Sequence, residues 1–433
     1  MAICDGLSDR LSDAIRLPGR YLFVAGRNLC HPLNSPARHL PYSLGACVEQ
    51  LDVVGYVNFY GGPPAPVWKR IGGGLDNLLR RRVTIRPGDS VRTIIARRLH
   101  LPTVCELVVQ DVWLYAILRR TLGRDYVAGI VAHPDNALFA ALLKRSGRVG
   151  CLIYNDWDYF PAYVPRRWSR LVAWRERVCI RAADGIVSVS RPLARLRREQ
   201  GGRRVAFIPN GVDFERFHAA PRARYPHAPA LVYAGSLDAR WGVDLAIRAL
   251  PMLRARFPDL RLLIAGQGPA AHALRALAED LGVMTSVSFV GSVDYTDLPF
   301  LLAGADIGLA TSRADRFRQY ASPLKIAEYM AAGLPVICSG GGEAELMVRE
   351  SGAGVNIAFE PEALAGAVES LLASPDVLER MRMAGLMYAR DRDWSRLGNA
   401  LARFIAQLTG QPDATTDETF SPFEEADANP VPV

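Results

Sequence analysis

The segment Ser322-Pro323-Leu324-Lys325-Ile326-Ala327-Glu328 brings a hydroxyl, a cation and a carboxylate within two turns of a helical pattern. A Ser-Pro step before a periodic apolar run predicts a helix start. Ser322 would be the N-cap, and Pro323 the first helical residue, where its missing N–H costs nothing. The backbone N–H groups of Leu324 and Lys325 would then point out of the helix end, where the dipole favours negative charge. Lys325 adds a full positive charge there. Glu328, one turn on along the same face, is placed to accept hydrogen bonds from ribose hydroxyls of a ligand whose phosphate sits at the helix end. The chemistry on offer is capture of a phosphorylated, hydroxyl-bearing molecule. Taken alone, the same residues also describe a plain helix start with a Lys–Glu surface pair. Beyond the helix, Gly333-Leu334-Pro335 turns into the apolar run PVICS, and Gly340-Gly341-Gly342 would let backbone approach a ligand closely.

The elements that must position these residues are legible as an alternation of strand-like and helix-like segments. Strand candidates lie at 21–26, 52–59, 126–133, 151–155, 185–190 and 205–210, then at 231–236, 261–266, 287–291, 307–312 and 335–339. Most are short apolar runs, as parallel strands buried on both faces should be. Helical patterns stand between them, for example at 243–256, 270–281 and 362–373. Strand–helix alternation predicts βαβ units and doubly wound α/β sheets. The pattern breaks once, at 211–230. The expected organisation is one α/β domain over 1–210, a linker over 211–228, a second α/β domain over 229–390, and a helix within 391–410 that could pack on either. A disordered acidic tail over 411–433 completes it.

Against this frame the motif becomes specific. Residues 322 to 346 resemble the donor-site signature of the GT-B fold glycosyltransferases of family four (glycosyl transferases group 1), the retaining transferases of lipopolysaccharide and exopolysaccharide assembly. IPNGVDFERF (208–217), YAGSLDARWGVDLAIRAL (233–250), LLIAGQGP (262–269) and GGEAEL (341–346) resemble further segments of that family in the same order. The likeness covers roughly 185–400, and the N-terminal domain in outline. It implies two Rossmann-like domains facing a cleft, with a nucleotide-diphosphate-sugar donor, UDP- or GDP-linked, as substrate in the second. It implies no separate cofactor, no metal, and retention of configuration. By resemblance Glu328 holds the ribose, while Lys325 and the Leu324 and Lys325 amides hold the diphosphate. Gly235 and Gly268 would let their loops approach the donor. Two positions depart from the family. Tyr320 stands where the first acid of Glu-x7-Glu, which contacts the sugar, would fall. Ser236 and Trp241 stand where the family carries Arg and Lys, which makes Arg240 the nearest cation for the leaving phosphate.

On the acceptor side, Asp156 and Asp158 in YNDWDYFP (154–161) are candidates to activate or position a hydroxyl, or else to form a turn or cap the helix near 165. His133 in VAHPDN is a weaker candidate, and Gly26 in VAGRN stands where a loop could pass close to donor or acceptor. The first half is rich in arginine, at 78–86, 94–100 and 165–181. In the last, Trp168, Leu171, Val172, Val178 and Cys179 recur at helical spacing among arginines. That pattern suits an anionic membrane surface and a polyprenyl-linked or glycan acceptor, or a helix with one core face and one solvated basic face.

Composition bounds these readings. With 433 residues, 50% hydrophobic and 22% charged, the chain fits two globular domains. Net charge is +8, and the six acids of the tail leave the body before it at +14, which suits anionic partners. Seven scattered cysteines without a C-x-x-C pair predict reduced thiols in a cytosol. The N-terminus lacks the apolar stretch of a secretory signal, and no run is long and apolar enough to span a membrane. The expected location is therefore cytoplasmic, or peripheral at the inner face of the plasma membrane. GQGPAA (266–271) fits a dinucleotide fingerprint, but the acid expected about 20 residues later is missing, which argues against an oxidoreductase. No nucleic-acid recognition module is evident. A nucleotide-sugar epimerase of the same fold, and a non-catalytic GT-B subunit of a glycan assembly complex, stand as rival readings.

Overall fold

The computed structural model describes residues 15–25, 36–57, 83–86, 88, 90–97, 103–220 and 228–412. Gly26, the basic residues 78–82 and 98–100, and the tail from 413 lie outside them. The chain divides into two compact units, residues 1–209 with 395–433, and residues 210–394.

In the first unit the apolar runs become β1 (Leu17–Val24), β2 (Val48–Val57), β3 (Val83–Arg86), β4 (Val91–Arg97), β5 (Tyr126–Ala132), β6 (Val149–Asp156), β7 (Gly185–Ser188) and β8 (Val205–Phe207). They form one sheet in the order β3-β4-β2-β1-β5-β6-β7-β8. Its described pairs are parallel except β3–β4. The helices are α1 (Pro36–Gly45), α2 (Thr103–Leu118), α3 (Ala137–Arg145), α4 (Arg166–Ala182) and α5 (Arg191–Glu199). One core joins Leu22, Val54, Ile94 and Leu152 to Leu114, Leu118, Phe139 and Leu143. Another joins Tyr154 and Ile186 to Cys179, Ile180 and Ala194.

The second unit holds β9 (Ala230–Ala234), β10 (Arg261–Ala265), β11 (Val287–Gly291), β12 (Ile307–Ala310), β13 (Val336–Ser339) and β14 (Gly354–Ile357). With them stand α6 (Phe214–His218), α7 (Val243–Arg256), α8 (Ala271–Asp280), α9 (Leu298–Ala303), α10 (Leu324–Ala331), α11 (Glu343–Ser351), α12 (Pro361–Leu372) and α13 (Pro375–Arg390). Its all-parallel sheet runs β11-β10-β9-β12-β13-β14. Successive strand residues feed opposite faces. Ala230, Val232 and Ala234 join the core under α10 and α11, whereas Leu231 and Tyr233 join the core under α7, α8 and α12. Both faces are covered, so both are apolar, which is why these strands read as runs and not as alternations.

Five expectations change or are completed. The basic stretches near 78–86 and 94–100 contribute to β3 and β4, an antiparallel edge pair in which Arg86, Arg92 and Arg97 follow no alternation, so no strand period shows. The short edge strand β14 carries Asn356 and only partly buried neighbours, and it too passed unseen. The strand expected over 151–155 is longer: β6 continues through Asp156, held by β7 across Asp156–Ser188. The segment expected as linker is, over 211–220, part of the second unit: Val212, Phe214 and Phe217 are buried in its core. Finally, α14 (Trp394–Thr409) belongs from Ser395 onward to the first unit, where Phe404 and Leu408 pack over Gly185.

Candidate functional site

The sheet order of the second unit reverses direction between β9 and β12, and ligands of doubly wound sheets bind at the carboxyl ends of such a pair. One helix is pinned there. The Ala234 N–H donates to the Tyr329 hydroxyl at 2.7 Å, and that hydroxyl donates to the Leu309 carbonyl at 3.4 Å. The Tyr329 ring fills the space a side chain at Gly308 would need, its nearest atom only 2.5 Å from such a Cβ. This ties α10 to both strands of the switch point and fixes where its first turn opens.

That first turn starts one residue later than expected. Pro323 has extended backbone (φ −74°, ψ 114°) and occupies the cap position, without a side-chain cap. Ser322 is buried, and its carbonyl accepts from Asn210 Nδ2 at 2.9 Å. Because Pro323 itself stays extended, the helix begins at Leu324 and the cap position falls on the proline and not on Ser322. The N–H groups of Leu324 and Lys325 still head the helix, without acceptors inside it.

Lys325 lies back across the end of β9. Its Nζ sits 3.8 Å from the Tyr233 ring centroid and 5.6 Å from that of Trp241. Gly235 makes this possible: at φ +150°, a Cβ there would come within 2.7 Å of the ammonium nitrogen. Burial pushes the Lys325 pKa down to about 7, with Arg318 adding to the fall and Glu328 opposing it. Arg318, 6% exposed, stacks its guanidinium 4.4 Å from the Trp241 ring centroid. Nothing in the sequence pattern marked Arg318 or Tyr233 as part of a site. Only the fold brings them to Lys325.

The other expected donor residues distribute around this cluster. Glu328 is buried in the second turn of α10. Tyr320 is partly exposed, in a turn closed by its N–H to Phe317 O at 3.2 Å. Arg240 is placed differently from expectation. Its Nε lies 3.4 Å from Asp238 Oδ1 and its guanidinium faces the Phe317 ring at 5.8 Å, so it is tied to its own loop. A Cβ at Gly268 would strike the Leu237 backbone at 2.3 Å, so its side-chain direction is filled by a second loop of the unit. In the glycine triplet, Gly340 and Gly342 are likewise closed off by Ser312 and Gln319, while Gly341 faces only Glu345 Oε2 at 3.7 Å.

A family model described as Glycosyl transferases group 1 matches residues 215–386, and one described as Glycosyltransferase Family 4 matches 72–216. The glycogen synthase of Mycobacterium tuberculosis is 31% identical over 289 residues, covering 65% of this chain and 68% of that one. The chain belongs to the glycosyl transferases group 1. A GDP-mannose-dependent phosphatidylinositol monomannoside mannosyltransferase of Mycolicibacterium smegmatis is 34% identical over 211 residues, 46% of this chain and 55% of that one. Among solved structures, sucrose-phosphate synthase from Thermosynechococcus elongatus superposes with a TM-score of 0.67 at 18% identity, covering 92% and 100% of the two chains. HepE from Anabaena, in complex with UDP and glucose, gives 0.66 at 15% over 90% and 99%. The fold is that of the GT-B glycosyltransferases, two parallel-sheet α/β domains.

In this glycosyltransferase the expected acceptor-side residues separate. Asp156 is fully buried and taken by Arg197, whose Nε donates to Oδ2 at 2.6 Å and whose Nη2 donates to Oδ1 at 3.0 Å. Arg197 also donates to Glu176 at 3.0 Å, and burial pushes the Glu176 carboxyl up to about 7. Asp156 is therefore a structural partner inside the unit and not an acceptor-facing base. Asp158 is partly exposed, two residues past Asp156, the last residue of β6. His133 has the left-handed backbone angle φ +70°, uncommon outside glycine and frequent at working sites. Its ring packs on Phe160 at 4.0 Å between centroids, and its Nδ1 accepts from the Asp135 N–H at 3.2 Å.

Proposed function

We propose that the enzyme transfers a sugar from a nucleoside-diphosphate sugar, UDP- or GDP-linked, to a glycan or lipid-linked acceptor in polysaccharide or lipopolysaccharide assembly, with retention of configuration and without a metal. The observation that carries this is Lys325. It is a partly desolvated cation at a helix N-terminus, lodged against Gly235 at the switch point of a doubly wound sheet. A diphosphate there meets one full charge and the two leading amides of α10, which can stabilise negative charge growing on the leaving group. Glu328 would hold ribose hydroxyls, and Tyr320 and Arg240 would border the donor. HepE is solved with UDP, and the mannosyltransferase relative is named for GDP-mannose, so both bases belong in the test.

That test is calorimetric titration of the purified chain against a panel of UDP- and GDP-sugars, followed by transfer to lipid-linked acceptors. Micromolar binding of at least one donor, with turnover, is expected. A chain that binds none of them sinks the reading, and binding without turnover on any acceptor pool would favour the non-catalytic subunit. Glu328→Ala should chiefly weaken donor binding, by about tenfold to a hundredfold for a lost charged hydrogen-bond acceptor. Unchanged affinity in that variant would remove Glu328 from the site.

The first unit would take the acceptor, with Asp158 and His133 as the polar groups nearest the carboxyl ends of β5 and β6. A membrane surface fits its α4. One face of that helix is buried through Val172, Arg175, Glu176, Cys179 and Ile180. Arg175 is thus in the core, donating to Asp111 Oδ2 at 2.8 Å. The opposite face exposes Arg166, Arg167, Arg170, Arg177 and Arg181 around Trp174, which is 43% exposed, and carries no acid. Among the described residues no helix is long and apolar enough to cross a membrane. Juxtaposed arginines are worth about 1 kcal/mol each near an anionic bilayer. Reversing Arg166, Arg170 and Arg177 to Glu should therefore lower co-sedimentation with phosphatidylserine vesicles more than ~100-fold. Equal wild-type binding to neutral phosphatidylcholine vesicles would count against this.

A further inference from the structure

Arg318 reaches the Lys325 cluster from the loop between β12 and α10. That loop is laced to the turn after β9: the Arg313 N–H donates to Arg240 O at 3.0 Å, Arg313 Nε to Ala239 O at 3.2 Å, and Thr311 Oγ1 to Gly242 O at 3.1 Å. Phe317 and Trp241 complete the lacing, each stacked by an arginine from the opposite loop. The outcome is that the Arg318 guanidinium and the Lys325 ammonium rest against one indole, that of Trp241, and Lys325 also against Tyr233.

Two cations brought together in a mostly buried box repel one another, and the repulsion grows as water leaves. The groups facing Lys325 are Arg318 from the loop, Glu328 from its own helix, and the Tyr233 and Trp241 rings from β9 and the turn after it. A ligand that places one negative charge on each cation relieves that repulsion. An arginine fork binds a phosphate through two N–H groups, whereas a lysine binds as a point charge. Two linked phosphates match this pair.

We propose that Arg318 is a second phosphate-binding residue of the donor site, gripping one phosphate of a nucleoside diphosphate while Lys325 and the α10 amides grip the other across the Trp241 indole. It rests on the donor reading above and adds a group that the sequence motif does not contain.

The test titrates wild type, Arg318→Met and Arg318→Lys with a nucleotide sugar that wild type binds and with the matching nucleoside monophosphate, from pH 6 to 9. Arg318→Met should lose about tenfold to a hundredfold in affinity for the sugar nucleotide, and under about threefold for the monophosphate, where Lys325 suffices. Its affinity should also hold to higher pH, because Lys325 no longer faces a like charge and keeps its proton longer. Arg318→Lys retains the charge and guards against misfolding: it should keep the wild-type pH midpoint while losing the bidentate contact. Wild-type affinity in Arg318→Met, or equal loss of both ligands with an unmoved pH profile, would overturn the proposal and leave the donor reading standing. A wild-type chain that binds no nucleotide would overturn both.

Discussion

Lys325→Ala is expected to lower sugar transfer at least ~100-fold, the scale on which a lost transition-state donor is felt. On the proposed donor reading the ammonium sits where the leaving group's charge develops, and Arg240, held 3.4 Å from Asp238, leaves Arg318 as the other cation of the cluster. Near-wild-type turnover would remove Lys325 from the chemistry. The same residue predicts a pH dependence. With its pKa at about 7 in the empty protein, Lys325 is charged below that value and neutral above it. Donor affinity should be greatest below pH 7 and weaken as pH rises through 7 to 9. Nucleotide sugars are the right probe, since they lack the phosphate monoester that titrates near pH 6.

Stability runs the other way. The native pKa is depressed below its ordinary 10.5, so between about 7 and 10.5 the unfolded chain binds the proton and the native chain does not. This group's contribution therefore rises with pH across that window, and charging it below pH 7 costs stability. Lys325→Met should melt higher than wild type at pH 7, by about 2–4 °C for each kcal/mol recovered in a unit of this size. A variant that is more stable yet inactive marks a residue kept for function.

Asp156→Ala is expected to cost on the order of 3–5 kcal/mol of folding stability, because it strands the guanidinium of Arg197, which has no solvent exposure. Glu176 alone then faces that charge, from a position where burial already raises its own pKa to about 7. The measurement is chemical denaturation followed by a probe in the first unit. If Asp156→Ala unfolded like wild type and only transfer collapsed, the carboxylate would have to be returned to the acceptor side.

The contrast between Lys325 and Asp156 shows what was legible in the sequence. Lys325 was found because Ser-Pro-x-Lys before an apolar run specifies its own local geometry, and a helix end carries its chemistry wherever it packs. Even a one-residue error in the cap did not move the amides at 324 and 325. Asp156 was misread because strand length and facing arginines are tertiary facts: Arg197 lies 41 residues away on another element. Arg318 is hidden for the same reason, since its significance depends on Trp241, which in sequence is only a departure from the family's Lys. The parallel strands of the second unit were visible because both faces are covered. β3 and β4 were not, because their arginines follow no alternation.

One feature of the backbone has a genetic meaning. Val212 forms a parallel bridge with Asp393, the Val212 N–H donates to Arg392 O at 3.0 Å, and the Trp394 N–H donates to Val212 O at 3.1 Å. The second unit therefore enters and leaves at one point, as an insert spliced into the first between Pro209 and Ser395. Residues 210–394 thus form one contiguous compact unit whose two ends are already hydrogen-bonded to each other. The first unit cannot be produced by truncation at 209, because its sheet would lose α14 from above Gly185. It would have to be closed by a short artificial joint in place of residues 210–394.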